Sequence, residues 1–291
     1  MTFTTRFAPS PTGPLHLGHA YSALLAQDMA AMAGGKFLLR IEDIDISRSR
    51  SEWEQQIYDD LRWLGLSWPE PVLRQSERLP RYRAALDQLT AMGLTYPCRC
   101  NRRDIEAAVG APQEGVPQFG PDGRIYPGTC RSRPMTDAGP NDVIRLNMGK
   151  ALAATPLRSF IETGKTYEGL HPLDPDQLRQ AVGDIILVRR GMGSAYHLSV
   201  VVDDADQAIS HVVRGEDLFE ATQIHVLLQA LLGLPTPTYH HHHLIRDDQG
   251  KRLAKRDDAR AIAKYRAEGV TAQEIRAMVG LGHASPAPSS G

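Results

Sequence analysis

Cysteine is scarce in this chain: three residues among 291, all between positions 98 and 130. So small and odd a number argues against a disulfide scaffold and for a reducing compartment. An excess of either charge is lacking as well. The 33 Lys and Arg nearly balance 34 Asp and Glu, giving a formal net charge of -1. No global field therefore attracts nucleic acid, and any RNA contact must come from local basic patches. No apolar run approaches the ~20 residues of a membrane span. The start, Met1-Thr-Phe-Thr-Thr-Arg6, lacks the apolar stretch of a signal peptide. A cytoplasmic protein without membrane contact is expected. Its 42% hydrophobic residues suffice for one large domain or two ordinary ones.

What is present is concentrated first at Arg6-Phe7-Ala8-Pro9-Ser10-Pro11-Thr12-Gly13-Pro14-Leu15-His16-Leu17-Gly18-His19. Three prolines exclude a regular helix before about residue 14, and Pro14 suits a first helical turn. From Leu17 through Ala20, Leu24, Leu25 and Met29 the apolar spacing is helical. That spacing puts His16 and His19 on one face at the positive end of the helix. Gly18 between them would let a ligand approach the backbone. Imidazole donors and free helical N–H groups facing one anion are an arrangement for a polyphosphate.

Gly34-Gly35 should stop this helix, and Lys36 to Asp43 reads as a strand with Phe37, Leu39 and Ile41 on one side. Strand, helix and strand within about 40 residues predict a βαβ unit and a parallel sheet. Ligands in such sheets sit beyond the strand carboxyl ends, where Glu42 and Asp43 fall. Glu42 alone could equally be a surface or capping acid. Ser51 to Gly65, opening on a Ser-x-x-Glu-like start, and Leu79 to Met92 read as helices. Trp53, Trp63 and Trp68 read as packing residues.

From Cys98 to about residue 180 the chain turns rich in Gly and Pro and reads as an insertion. Cys98, Cys100 and Cys130 suit either a metal or three free thiols, since the usual Cys-x-x-Cys pairs are missing. Arg99, Arg102, Arg103, Arg124, Arg131 and Arg133 form either a solvated surface or a grip on RNA phosphates. Gly183 to Arg190 reads as a strand, and a helix should end near Gly233. His240 to His243, if in a strand, alternate between faces and are not expected to share a metal.

The stretch from Arg6 to His19 closely resembles the first signature of the class I aminoacyl-tRNA synthetases, in the glutamyl form. Asp248-Gln-Gly-Lys251-Arg252-Leu253-Ala254-Lys255-Arg256 resembles their second, a mobile cationic loop. The resemblance implies an α/β, Rossmann-type parallel-sheet catalytic domain with an inserted zinc-containing subdomain. It divides the chain into two catalytic halves, 1–97 and 181–245, around an inserted acceptor and zinc-binding subdomain at 98–180. A loop and short helical segment would follow at 246–281, and a disordered tail at 282–291. It implies ATP with Mg2+ at Pro9, His16, Gly18, His19, Arg252 and Lys255, with His16, His19 and Lys255 catalytic. It implies L-glutamate at Arg6, Ala8, Ser10, Glu42, Tyr196 and Arg214. An acid for the ammonium and an arginine for a carboxylate are what a free amino acid requires.

Only 35 residues follow Arg256, too few for a separate anticodon-binding domain, so none is expected. This outline is similar to the glutamyl-queuosine tRNA-Asp synthetase family, which transfers activated glutamate to the queuosine base of tRNA-Asp. That family carries Cys-x-Cys and then Tyr-x-x-x-Cys, matched here by Tyr126-Pro-Gly-Thr-Cys130. The match implies one structural Zn2+ on Cys98, Cys100, Tyr126 and Cys130, in a chain expected to be a monomer. Three positions depart from the glutamyl pattern: Val200 replaces an Asn, Arg252 a Lys and Ala254 a Ser. Val200 should remove a polar contact from the glutamate pocket. Two other readings stay open: a truncated glutamyl-tRNA synthetase charging a tRNA 3′ end, and a catalytically silent RNA-binding paralogue.

Overall fold

Strands Thr4–Phe7 and Lys36–Ile41 pair in parallel, Thr4 opposite Lys36 and Phe7 opposite Leu39. Helix Leu17–Met32 makes the crossover and packs its Ala20, Tyr21, Ala23 and Leu24 inward. Leu73–Arg74 adds a third parallel strand. The computed structural model describes residues 2–109, 118–156, 158–246 and 260–282. The helix stops as its glycines require, since Gly34 adopts φ +61°. Phe37, Leu39 and Ile41 are buried together as the alternation demands. Arg40 on the other side is also fully buried.

A second parallel group holds His211–Gly215, Thr238–His242 and Ser159–Glu162, in that order, with Gly169–Pro172 antiparallel at its edge. The two parallel groups are joined where the Thr4 N–H donates to Ser210 Oγ at 2.8 Å and the Ser210 N–H to Thr4 O at 3.0 Å. Between them, Val143–Leu146 is flanked antiparallel by Thr95–Cys98 and Ile186–Val188. The segment 98–180 is therefore stitched into its surroundings. It enters and leaves through one small sheet, and its Ser159–Glu162 joins the second parallel group.

Helices Ser51–Trp63, Leu79–Ala91 and Thr222–Leu232 lie where expected, the last closed by Gly233 in the left-handed region. One start signal is corrected. Ser51 is the first helical residue rather than the cap, and Arg50 holds the cap position without a side-chain bond. Thr271 does cap Ala272–Met278, in a reciprocal box with Glu274. Burial forms two main cores, one against each parallel group. Trp63 and Trp68 pack against the one around Leu17–Met32. Among the described residues, no helix is long and apolar enough to cross a membrane.

Candidate active site and cysteine cluster

His16 ends the loop after the first strand and caps helix Leu17–Met32 with its own ring. Its Nδ1 accepts the Gly18 N–H at 3.1 Å, and His19 Nδ1 accepts the His16 N–H at 3.1 Å. The rings lie 3.8 Å apart. The expectation of free helical N–H groups is thus modified, because the two histidines satisfy the first of them. Only Nε2 of each ring could then donate to a phosphate. Gly18 keeps its place for a related reason: a Cβ there would stand 3.1 Å from the His16 ring.

Three cavities meet at Glu42, just past the end of strand Lys36–Ile41. The largest, about 410 Å³, runs along Ala8, Pro9, Ser10, Thr12 and His19. The smallest, about 150 Å³, is lined by Arg6, Ala8, Ser22, Tyr196, Arg214 and Leu218. A third, about 260 Å³, extends between Ser10, Asp45, Gln75, Arg189 and Tyr196. All six residues expected at a glutamate site therefore line connected walls. Asp43 does not, because its carboxylate accepts the Ser76 N–H and hydroxyl at 2.8 and 2.6 Å.

Behind the cavities lies a buried charge network. Asp204 accepts from Arg6 Nε at 3.0 Å and from Arg40 Nη1 at 2.7 Å. Arg40 Nη2 in turn donates to Glu42 at 3.2 Å. Burial works against the Arg40 charge, yet Asp204, Glu42 and Asp203 together raise its pKa. Burial lifts the Glu42 carboxyl above its ordinary range against the pull of Arg40 and Arg6. The Tyr196 phenol is raised by burial in the same way. The result is a small polar pocket whose Arg6 and Glu42 are held from behind by ion pairs. Such a pocket can take a ligand carrying both an ammonium and a carboxylate.

The cysteine cluster lies at the end of strand Thr95–Cys98. The Cys98, Cys100 and Cys130 sulfurs lie within 4.8 Å of one another. The Tyr126 hydroxyl stands 3.2 Å from Cys98 Sγ and 3.5 Å from Cys100 Sγ, and accepts the Cys130 N–H at 2.8 Å. Burial pushes the Cys100 thiol up to about 11. For Cys130, burial is outweighed by hydrogen bonds from Tyr126 and the Arg99 backbone, bringing the thiol down to about 7. Three sulfurs and a phenol oxygen converging in a buried pocket form a donor set for a tetrahedral, thiophilic divalent cation. Burial and the three cysteines raise the Tyr126 phenol and only the Cys130 N–H pulls the other way, so it would bind as phenolate only through the charge of the cation itself.

Residues 2–288 match the family model described as tRNA synthetases class I (E and Q), catalytic domain. The chain belongs to this class I tRNA synthetase family. It is 61% identical, over 95% of its length and 99% of the relative's, to the glutamyl-Q tRNA(Asp) synthetase of Rhodobacter capsulatus. It is 43% identical to that of Nocardia farcinica, over 94% of this chain and 82% of the other. Among solved structures, a glutamate tRNA ligase from Elizabethkingia meningosepticum, crystallised with its amino acid, superposes with a TM-score of 0.72 at 26% identity. That match covers 96% of this chain and 60% of the ligase. The chain therefore spans about three fifths of the solved ligase it matches. The family's chemistry is that of a ligase.

Within this family frame, several expectations take new forms. Val200 is 2% exposed and packs in the larger core, one helical turn from Tyr196, and does not itself line any of the three cavities. Arg252, Ala254 and Lys255, with the rest of the second signature, lie outside the described residues. Of the six clustered arginines, Arg131 pairs with Asp184, Arg133 with Asp142, and Arg102 and Arg124 with Glu106. Much of that charge is committed within the protein. The histidine run alternates as expected: His241 bonds Glu162, while His240 meets Thr163 and His242 meets Ser22. Sequence reasoning missed Arg40, Asp203 and Asp204. The signal was two acids closing the apolar run Val200-Val201-Val202, a place where exposed acids are unexpected.

Proposed function

We propose that this chain activates L-glutamate with MgATP and transfers the glutamyl group to the queuosine base of tRNA-Asp. The convergence of Arg6, Glu42, Tyr196 and Arg214 on a cavity of about 150 Å³ carries this reading. That cavity shares Phe7, Ala8 and Glu42 with the larger one at His19, so an amino acid and a nucleotide would lie side by side. Identity of 61% to a glutamyl-Q tRNA(Asp) synthetase along nearly the whole chain supports the substrate pair.

Glu42 and Tyr196 would receive the glutamate ammonium, and Arg6 and Arg214 a carboxylate, with Ala8 and Ser10 forming the wall. ATP would lie along Pro9, Gly18, His16 and His19, which stabilise its phosphates. A glutamate carboxylate oxygen attacks the α-phosphorus, a C–O–P linkage forms, and the bond to pyrophosphate breaks. Arg252 and Lys255 supply positive charge for that departure. A queuosine hydroxyl then attacks the activated carbonyl, an ester forms and AMP leaves. No protein nucleophile is needed. Zn2+ held by Cys98, Cys100, Tyr126 and Cys130 would act as a structural crosslink; no step passes through it. Arg99 and Arg103, which make no ion pair among the described residues, are the cationic groups we assign to RNA phosphate.

Lys255→Ala should lower glutamate-dependent pyrophosphate exchange by at least about a hundredfold with the fold intact. Near-normal exchange would refute its role. Labelled glutamate should appear only on tRNA-Asp that contains queuosine. Label at the 3′ end, with or without queuosine, would instead make this a shortened aminoacyl-tRNA synthetase.

A further inference from the structure

Arg214 is more tightly held than a ligand-binding arginine requires. It lies in strand His211–Gly215, in register with His241 on the neighbouring strand. Its Nε donates to His241 Nε2 at 3.0 Å, and Nη1 donates to His225 Nδ1 at 3.1 Å. Nη2 donates to Leu218 O at 3.1 Å and to Thr222 Oγ1 at 2.7 Å. A guanidinium has five N–H groups. Four are thus committed, leaving one, on Nη1, for the cavity that Arg214 lines.

The donors fix the tautomers. Guanidinium only donates, so His225 Nδ1 and His241 Nε2 must accept. In a neutral ring the proton then lies on the other nitrogen. His225 Nε2–H therefore donates to His197 Nδ1 at 3.0 Å, and His197 Nε2–H to Asp122 Oδ1 at 3.2 Å. On the opposite side, His241 Nδ1–H donates to Glu162 Oε2, while Glu162 Oε1 accepts the His241 and Gly164 N–H groups at 2.9 and 2.5 Å. Gly164 is required there, because a Cβ would stand 2.1 Å from the His241 carbonyl oxygen. Burial keeps His225 neutral, its pKa well below the usual imidazole range.

We infer that Asp122, acting through His197 and His225, is a positioning residue for Arg214 and so sets the strength of amino-acid binding. Glu162 and His241 form the second arm of the same clamp. Asp122 sits in the hairpin turn between Phe119–Gly120 and Gly123–Arg124, four residues before Tyr126 of the cysteine cluster. The relay thus runs from beside that cluster to the amino-acid pocket. Its two carboxylates hold the cation by polarising neutral rings, with no charge of their own in the pocket. This inference rests on the reading of that pocket as a glutamate site.

The experiment compares Asp122→Ala and Asp122→Asn by glutamate-dependent pyrophosphate exchange, together with 15N-histidine spectra of the unmodified protein. Asp122 is on a turn and partly exposed, so both variants should fold. D122A should raise the glutamate KM about tenfold, and D122N, which keeps a neutral acceptor, about threefold. The kcat, the ATP KM and the melting temperature should hold within about twofold and about 2 °C. An unmoved glutamate KM in D122A, or an ATP KM rising in step, would overturn the inference. The spectra should show Nε2–H on His197 and His225 and Nδ1–H on His241; any other tautomer set also overturns it, whether or not D122A folds. If the unmodified protein activates no glutamate, the substrate reading fails, and the tautomers alone still decide the relay.

Discussion

Replacing Asp204 by Asn tests the buried charge network most directly. Asp204 carries both guanidinium groups behind the pocket: Arg6 through Nε at 3.0 Å and Nη2 at 3.4 Å, and Arg40 through Nη1 at 2.7 Å. Side-chain exposure is 6% for Arg6, 0% for Arg40 and 7% for Asp204, so water cannot substitute for the lost carboxylate. Asn preserves shape but turns an acceptor into a donor facing a donor. Removing one partner of a buried pair costs about 3–5 kcal/mol. The lower end applies, because Arg40 keeps Glu42 at 3.2 Å and Asp203 at 4.0 Å. For a chain of this size about 3 kcal/mol corresponds to a fall in melting temperature of about 6 °C. The Asp204 pKa is lowered; burial raises it, but Arg6 and Arg40 outweigh burial. A depressed carboxylate contributes its stability above the unfolded value near 4 and loses it as pH falls through the folded one. The gap between the two proteins should therefore close in acid below about pH 4. Arg6, loosened, should raise the glutamate KM about tenfold. Asp206→Asn is the control, since Asp206 is 29% exposed and its pairs with Arg78 and Arg81 are worth less than about 1 kcal/mol. A D204N melting temperature equal to that of D206N at pH 7, by calorimetry, would refute the reasoning.

The cysteine cluster should hold about one zinc per chain by elemental analysis; Cys98→Ser should bring that to about zero and lower the melting temperature, whereas Tyr126→Phe should keep the metal more weakly. Retention of full stoichiometry by C98S would exclude the four-donor site. Asp60 is fully buried, its carboxylate facing Arg266 Nη2 at 3.4 Å, and burial pushes it up to about 6 against that pairing. A raised carboxylate weakens the fold as pH rises through that value, so Asp60→Asn should be stabilising by about 1 kcal/mol at pH 8 and neutral near pH 4. A lower melting temperature for D60N at pH 8 would mean that the Arg266 pair outweighs the burial.

The parts of this molecule legible in sequence were those with local causes. Prolines, glycines and the spacing after Leu17 defined the first crossover, and the period-two pattern around Leu39 defined the strand beside it. The residues around the small cavity followed from one phrase and its family resemblance, and their walls do connect. Side chains whose meaning depends on distant partners were not legible. Arg40 alternates with apolar neighbours like a surface residue, and besides its near neighbour Glu42 the acids that make its burial tolerable, Asp203 and Asp204, lie more than 160 positions away. His197 and His225 carry no motif and His241 is one of a run of four, and only the sheet and two helices bring the three together beside one guanidinium. Ser51 misled for the opposite reason: its local cap signal is plausible, yet the helix takes Ser51 as its first residue and leaves Arg50 at the cap.

Glu42 borders all three cavities, and this constrains any effort to retarget the protein to another amino acid. A substitution at Glu42 would disturb every compartment at once, so its effects could not be assigned to one substrate. Ser22 and Leu218 touch the small cavity alone, while Gln75 and Met192 touch only the third. Libraries for a new amino acid belong at the first pair, which leaves the other two cavities untouched. The junction itself is best left alone.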